Sequence, residues 1–196
     1  MNKALVYKIC GYIGILGSIA VVAADIIGIA LHEEHNPISN TISMLAIGKY
    51  GWIQDLGLVL LSVGYLAIGF GLYTFKKSGV KWIISLILLL LISIDIFMIA
   101  VHNQYAGRPG ENIHYTLAYS LAGMFLILNF LIRDDLKDLN PSLKKFSLII
   151  GVLWLIFAPL LPLIPDNFDG AYERLVCSLL VIWPVWVSYQ LIKQKN

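Results

Sequence analysis

Apolar residues fill this chain in six long runs, and polar residues gather in the breaks between them. The runs cover about 7–31, 52–75, 82–101, 113–132, 146–164 and 171–192. A bilayer-spanning helix needs ~20 mainly apolar residues, and each run fits that requirement. The connections are short, so neighbours in sequence are expected to be antiparallel neighbours in space. The pattern predicts an all-α, polytopic membrane bundle of six transmembrane helices, built as one domain over residues 1–196.

The first connection is the longest. Within it, Asn36 suits a helix cap, Pro37 a first helical position and Gly48 the residue after an end. A short helix over 37–47 is expected, with Ile38, Ile42 and Leu45 on one face and Ser39 and Ser43 adjacent. It would lie in the membrane interface or fold over the bundle. Gly11, Gly14 and Gly17, with Ser18, form a small-residue stripe for close helix packing. Pro159, Pro162 and Pro165 should kink or end the fifth helix, and Pro184 should kink the sixth. The connector RDDLKDLNPSLKK is expected to hold at most a brief surface helix ended by Pro141.

Two segments rhyme. The first run ends DIIGIALH, Asp25 to His32, and the third ends DIFMIAVH, Asp95 to His102. The second, fourth and sixth runs each start with polar residues: Gln54 and Asp55, His114 and Tyr115, Glu173 and Arg174. Three two-helix hairpin repeats account for both rhymes.

Composition agrees with the pattern: 59% of the chain is hydrophobic, 13% is charged, and the mean hydropathy is +0.80. The net charge of +2 matters less than its distribution. Eleven of the fourteen Lys and Arg fall on one side of the span map, and only Lys49, Arg108 and Arg174 fall on the other. The positive-inside rule then places both termini in the cytoplasm and the chain in the cell membrane. The lysine runs read as rims of spans, so no nucleic-acid partner is expected. The first run is too long, and lacks the small-residue exit, for a cleaved signal peptide, so it is expected to stay as an anchor. Cys10 and Cys177 differ in depth by roughly 15 Å at 1.5 Å per residue, so no disulfide is expected.

The candidate chemistry lies on the side away from the lysines. His32, His35, His102 and His114 all fall there, with nine of the twelve acids. Asp25 and Asp95 each sit seven residues below a histidine, at a depth where an unpaired charge costs on the order of 2–3 kcal/mol. A partner is required, and a Glu173/Arg174 pair facing Asp25 or Asp95 is the favoured geometry. The candidate catalytic residues are Asp95, His102 and His114, with His102 and His114 expected to exchange protons, as imidazoles can, and Asp95 to orient them. The candidate ligand-binding residues are Asp25, Ser39, Ser43, Glu173 and Arg174, with Arg174 meeting an anionic headgroup or carboxylate. His32, His35, His102 and His114 are secondary candidates for a zinc site, which no paired-ligand motif supports; no cofactor is expected. A serine nucleophile, Ser39 or Ser43 with one histidine, is a further option without a G-x-S-x-G turn behind it.

The stretch HNPISNTISMLAIGKYGW, with Pro37, Ser39, Ser43 and Gly48, resembles the domain-of-unknown-function 998 (DUF998) family of six-span membrane proteins. His114, and Gly170 with Glu173 and Arg174, match its other short motifs. Relatives often carry an acid after the third span; here that loop reads VHNQYAGRPGEN and leaves Asp95 for such a role. There is a fainter likeness to damage-regulated autophagy modulators and related lipid-remodelling membrane proteins, which implies contact with lipid at the outer leaflet.

The functional expectation is recognition of a lipid headgroup or a membrane partner at the extracytoplasmic face. The alternative is a membrane-embedded, lipid-modifying hydrolase, metal-dependent or not. A small transporter comes third, because its site belongs near the midplane. Membrane lipids are the expected partners, alongside a membrane protein or a second copy of the chain.

Overall fold

The computed structural model describes residues 2–75, 77–102 and 111–194. Lys76, Arg108 and Lys195, which enter the charge count above, lie outside them, as does most of the loop after the third span. The described residues form α1 (Lys3–Leu31), α2 (Gly51–Tyr73), α3 (Val80–Val101), α4 (Glu111–Leu136), α5 (Pro141–Phe157) and α6 (Asp169–Ile192). Two short 3-10 helices, Ile42–Ala46 and Ala158–Leu163, complete the list, and no strand occurs among the described residues. Six helices, with α5 extended through Leu163, are long and apolar enough to cross a membrane. The fold is a polytopic membrane helical bundle.

Helix ends follow local chemistry. α1 starts where the Asn2 side chain accepts from the Ala4 N–H at 3.0 Å. α1 and α3 stop at their rhyming histidines, His32 and His102. Pro141 starts α5 rather than ending a surface helix, because Asn140 caps it through the Ser142 N–H at 2.9 Å. A proline in the first helical position forfeits only an N–H that has no partner in the helix. The first four residues of the connector, Arg133 to Leu136, belong to α4. Pro159 and Pro162 do end α5: beyond Phe157 the chain tightens into the second 3-10 helix, which has no buried residue.

The helix expected over 37–47 shrinks to the 3-10 helix Ile42–Ala46. Before it, the Ile38 N–H donates to Asn36 Oδ1 at 3.0 Å and the Asn36 N–H to Asn40 Oδ1 at 2.7 Å. Asn side chains compete in this way with helical bonding. The carbonyls of Pro37, Ile38 and Asn40, which a helix would use internally, bond to α6 instead. The segment folds over the bundle, with Leu45 only 1% exposed. Gly48 follows it with φ of 88°, a left-handed conformation that glycine adopts without strain.

Each helix packs on its neighbours in sequence, and α6 returns to α1, so the helices form a closed ring. α1 on α2, α2 on α3 and α1 on α6 are extensive seams, whereas α5 on α6 is thin. α1 can approach α2 and α6 because of its glycines. A Cβ at Gly17 would run into the Leu60 carbonyl, and one at Gly14 into the Ser188 hydroxyl. Outward-facing residues such as Leu16, Ile19, Ile26, Leu66 and Ile87 are exposed and apolar, as a hydrocarbon surrounding demands.

Lipid tails are as apolar as leucine, so close packing and hydrogen bonds must hold the helices together. Ser62 and Ser93 each donate to the other's carbonyl, at 2.8 and 2.9 Å, tying α2 to α3. Trp154 Nε1–H donates to the Ala122 carbonyl, tying α5 to α4. The core centres on Tyr65, Phe125 and Trp183, all fully buried. Trp183 stacks on Tyr65 at 6.2 Å and meets Phe125 edge-on at 6.2 Å. α6 continues through Pro184, which has no N–H to give the carbonyl four residues back, that of Leu180. The Tyr65 hydroxyl donates to that carbonyl at 2.7 Å.

Removing this hydroxyl in Tyr65→Phe leaves the Leu180 carbonyl without a donor while keeping the stacked ring. The expected loss of stability is about 1 kcal/mol. Thermal unfolding of the detergent-purified protein measures it, and an unchanged midpoint would refute the assignment.

Candidate functional site

The polar residues singled out by sequence lie at one end of the bundle, where α1, α3 and α5 finish and α2, α4 and α6 begin. Gln54 is the fourth residue of α2, His114 the fourth of α4, and Glu173 and Arg174 the fifth and sixth of α6. Helices entering from the same side therefore carry their polar groups at nearly the same depth. The first loop, 32–50, lies across them.

Arg174 fastens this loop. Its Nε and Nη2 donate to the two oxygens of Asp25 at 3.1 and 3.0 Å, a bidentate pair between α6 and α1. Nη1 faces the carbonyls of Pro37, Asn40 and Gly170 at 2.9 to 3.1 Å. Nη2 also meets His35 Nε2 at 3.2 Å. The Arg174 and Asp25 side chains are 18% and 20% exposed. Every donor direction of the guanidinium is taken within the chain, so the geometry gives Arg174 no free N–H for an anionic headgroup. The loop comes this close because residue 170 is glycine; a Cβ there would collide with the Asn40 carbonyl.

Two more contacts pin the loop. Glu173 Oε2 accepts from the Ile42 N–H at 2.5 Å, and the Ala171 N–H donates to the Ile38 carbonyl at 2.9 Å. Further round the ring, Ser43 Oγ and His114 Nε2 lie 3.2 Å apart, joining the 3-10 helix to α4. Leu45 packs over Gly28 of α1.

The structure thus brings Asp25, Arg174, Glu173, Ser43 and His114 together around one loop. It leaves others apart. His102 turns back on its own helix: Nδ1 lies 2.9 Å from the Met98 carbonyl, which only accepts, so Nδ1 carries the proton. Ser39 is part-buried in the loop with no side-chain hydrogen bond to any described residue. His32 sits beside the rings of His35 and Tyr50, at 6.4 and 6.2 Å. Among the described residues, no three of His, Cys, Asp and Glu are grouped as a metal would need.

Asp95 differs from its rhyming partner. Asp25 has an arginine; Asp95 is 7% exposed, and its Oδ2 has no hydrogen-bond partner among the described residues. Gln54 is 1% exposed, with neither amide atom hydrogen-bonded among the described residues. Both face inward. Gln54 continues the buried stripe Gly57, Leu61, Tyr65 and Ile68, and Asp95 the stripe Leu88, Ile92 and Ile99. These stripes meet in the one core, so its loop end is polar where the middle is aromatic. The sequence names Asp95 as a site candidate but Gln54 only as a polar residue opening a span; the stronger signal for Gln54 is its register with that inward stripe. It also misses His35 as an acceptor for Arg174, and no residue type announces the carbonyls of Pro37 and Asn40.

Arginine donates only, so His35 Nε2 accepts and the imidazole is neutral. Desolvation, the Arg174 charge and, less, His32 push the His35 pKa below its ordinary value, with Asp25 opposing. A group that binds its proton less well when folded supports the fold above its unfolded pKa and loses that support as pH falls. Attachment of the loop should therefore be complete above pH ~6.5 and weaken below it. Proteolytic nicking within 32–50 should rise on acidification, and His35→Gln should flatten that profile; nicking independent of pH in the unsubstituted protein would count against it. Arg174→Gln leaves the Asp25 carboxylate and three carbonyls without their donors, with an expected loss of about 3 kcal/mol. Unfolding midpoints should show coupling between Asp25→Asn and Arg174→Gln, and strictly additive losses would contradict the pair.

No curated protein and no solved structure matches the chain. A family model described as a protein of unknown function, DUF998, matches residues 15–190. That span begins inside α1 and ends inside α6, taking in the loop, its arginine and the inward polar groups. The chain belongs to the DUF998 family.

Proposed function

We propose that this protein is an integral membrane recognition protein that holds the polar headgroup of a membrane lipid beneath its first loop. The proposal places that loop on the extracytoplasmic side of the cell membrane, as the lysine distribution directs. The observation that carries it is Gln54: a buried amide with neither atom hydrogen-bonded among the described residues, at the polar end of the core. A buried polar group without a partner costs ~1–3 kcal/mol, so such a group points to something bound.

Asp95 supplies a second inward acceptor. Glu173 and Ser43 supply oxygen atoms, while the cation of Arg174 is already neutralised by Asp25. The groups on offer suit a headgroup rich in hydrogen-bond donors, an amine or polyol, better than a bare anion. Entry from the side is consistent with α4, where no residue from Glu111 to Ser120 is fully buried. At that depth α5 has already given way to the 3-10 helix, which packs on α5 and α6.

Gln54→Leu separates recognition from scaffolding, because the two respond with opposite signs. Removing an unpaired buried amide should raise the stability of lipid-stripped protein by ~1 kcal/mol or more. The same change should lower the fraction of protein carrying co-purified lipid in native mass spectrometry by roughly 2- to 10-fold, one neutral hydrogen bond's worth. Unchanged lipid occupancy in Gln54→Leu and Asp95→Leu alike would defeat the proposal.

A further inference from the structure

We infer that Ser43 and His114 form a nucleophile–base pair that cleaves a carboxylic ester of a membrane lipid. The inference rests on the lipid-recognition reading above and adds a reaction to it.

Ser43 stands apart in its partner. Ser18, Ser62, Ser85 and Ser93 donate to helix carbonyls, and Ser147 accepts from the Trp183 indole. Ser43, among the described residues, is the serine that meets a histidine, with Oγ 3.2 Å from Nε2. That separation is within the reach a general base needs to take a hydroxyl proton. The two groups come from rigid but separate supports. Ser43 lies in the 3-10 helix, whose first residue is held through its N–H by Glu173. His114 is in the first turn of α4, in line with the inward residues Leu121 and Phe125. Both side chains are part-buried, so neither is sealed from a ligand.

Depth identifies the bond. His114 lies three residues, ~4.5 Å, inside the start of α4. The esters of a glycerolipid occupy the boundary between headgroup and hydrocarbon, which is the level of a first helical turn. A lipid with its headgroup at Gln54 and Asp95 and its chains against the uncovered first ten residues of α4 would present an ester beside Ser43. A soluble ester would need no such lateral exposure.

The step balances with water as the second reactant. His114, neutral with its ring proton on Nδ1, takes the Ser43 hydroxyl proton on Nε2 as Oγ bonds to the ester carbonyl carbon. The ester C–O bond then breaks, and the Nε2 proton passes to the leaving alcohol. Water attacks the acyl-serine and gives a proton to His114. The Oγ–acyl bond breaks, the fatty acid leaves, and Ser43 recovers its proton from His114. No oxidant, reductant or metal is required.

The test uses the full-length protein in nanodiscs of phosphatidylethanolamine and phosphatidylglycerol, treated with a long-chain alkyl fluorophosphonate. Peptide mapping should find one adduct on the unsubstituted chain, at Ser43. Ser142→Ala, at the opposite end of the bundle, should label like the unsubstituted protein, and His114→Ala should label at least 100-fold more slowly, the contribution of a positioned base. Mapping on the unsubstituted chain needs no variant to fold. Lipid occupancy is read by native mass spectrometry on the same preparation. Protein that retains lipid but gives no Ser43 adduct overturns the chemistry and leaves recognition standing; an adduct whose rate ignores His114 overturns the pair; absence of both lipid and adduct overturns both readings.

Discussion

A guanidinium among apolar helices must find acceptors for five N–H groups or draw water in after it. Arg174 solves this with the Asp25 carboxylate, one imidazole nitrogen and three carbonyls, two of them from the first loop. The loop's irregular course follows from that demand. Carbonyls bonded to an arginine are lost to a helix, so the segment turns where it would otherwise coil. The same side chain joins α1, α6 and the loop, closing the ring where the last helix meets the first.

Several polar groups elsewhere in the bundle are satisfied one by one, while Asn129 Oδ1 and Ser188 Oγ, both buried, have no hydrogen-bond partner among the described residues. The carbonyl released by Pro184 takes the Tyr65 hydroxyl, and two serines tie α2 to α3 reciprocally. Such care is expected in hydrocarbon, where no water stands in for a missing partner. Gln54 and Asp95 are two further buried side chains with polar atoms that have no hydrogen-bond partner among the described residues. Both lie toward the loop end of their helices, Gln54 in the first turn of α2 and Asp95 in the last two turns of α3. Arg174 and Asp25 hold the loop; Gln54, Asp95, Ser43 and His114 are the residues on which the proposed recognition and chemistry rest.

Most of the fold was legible in the sequence because its cause is local. A run of apolar residues long enough to cross a bilayer has to become a helix there, whatever its neighbours do. Six runs, their ends at His32 and His102, the glycine stripe of α1 and the proline break after Phe157 all follow from such local rules. The errors fall where a local rule met a distant partner. Asn36 and Pro37 signal a helix start, and Arg174, well over a hundred positions away, takes the carbonyls that helix would need. Pro141 looked like an end and is a beginning, because a stop and a first-turn proline differ only in which side is capped.

The candidate site was legible in kind and not in arrangement. The sequence alone determined that ionisable groups would gather at one end of a six-helix bundle, since charge is excluded from the rest of each span. It also raised the expectation of an opposite charge beside Asp25 or Asp95. Only the tertiary structure decided that Arg174 takes Asp25 and leaves Asp95 without it, that His102 folds back on α3, and that Ser43 rather than Ser39 reaches His114. Two octapeptides that look alike end in opposite circumstances because pairing depends on which helix stands next to each. That neighbour is set by packing around the ring, through glycines and aromatic rings far along the chain from the acids themselves.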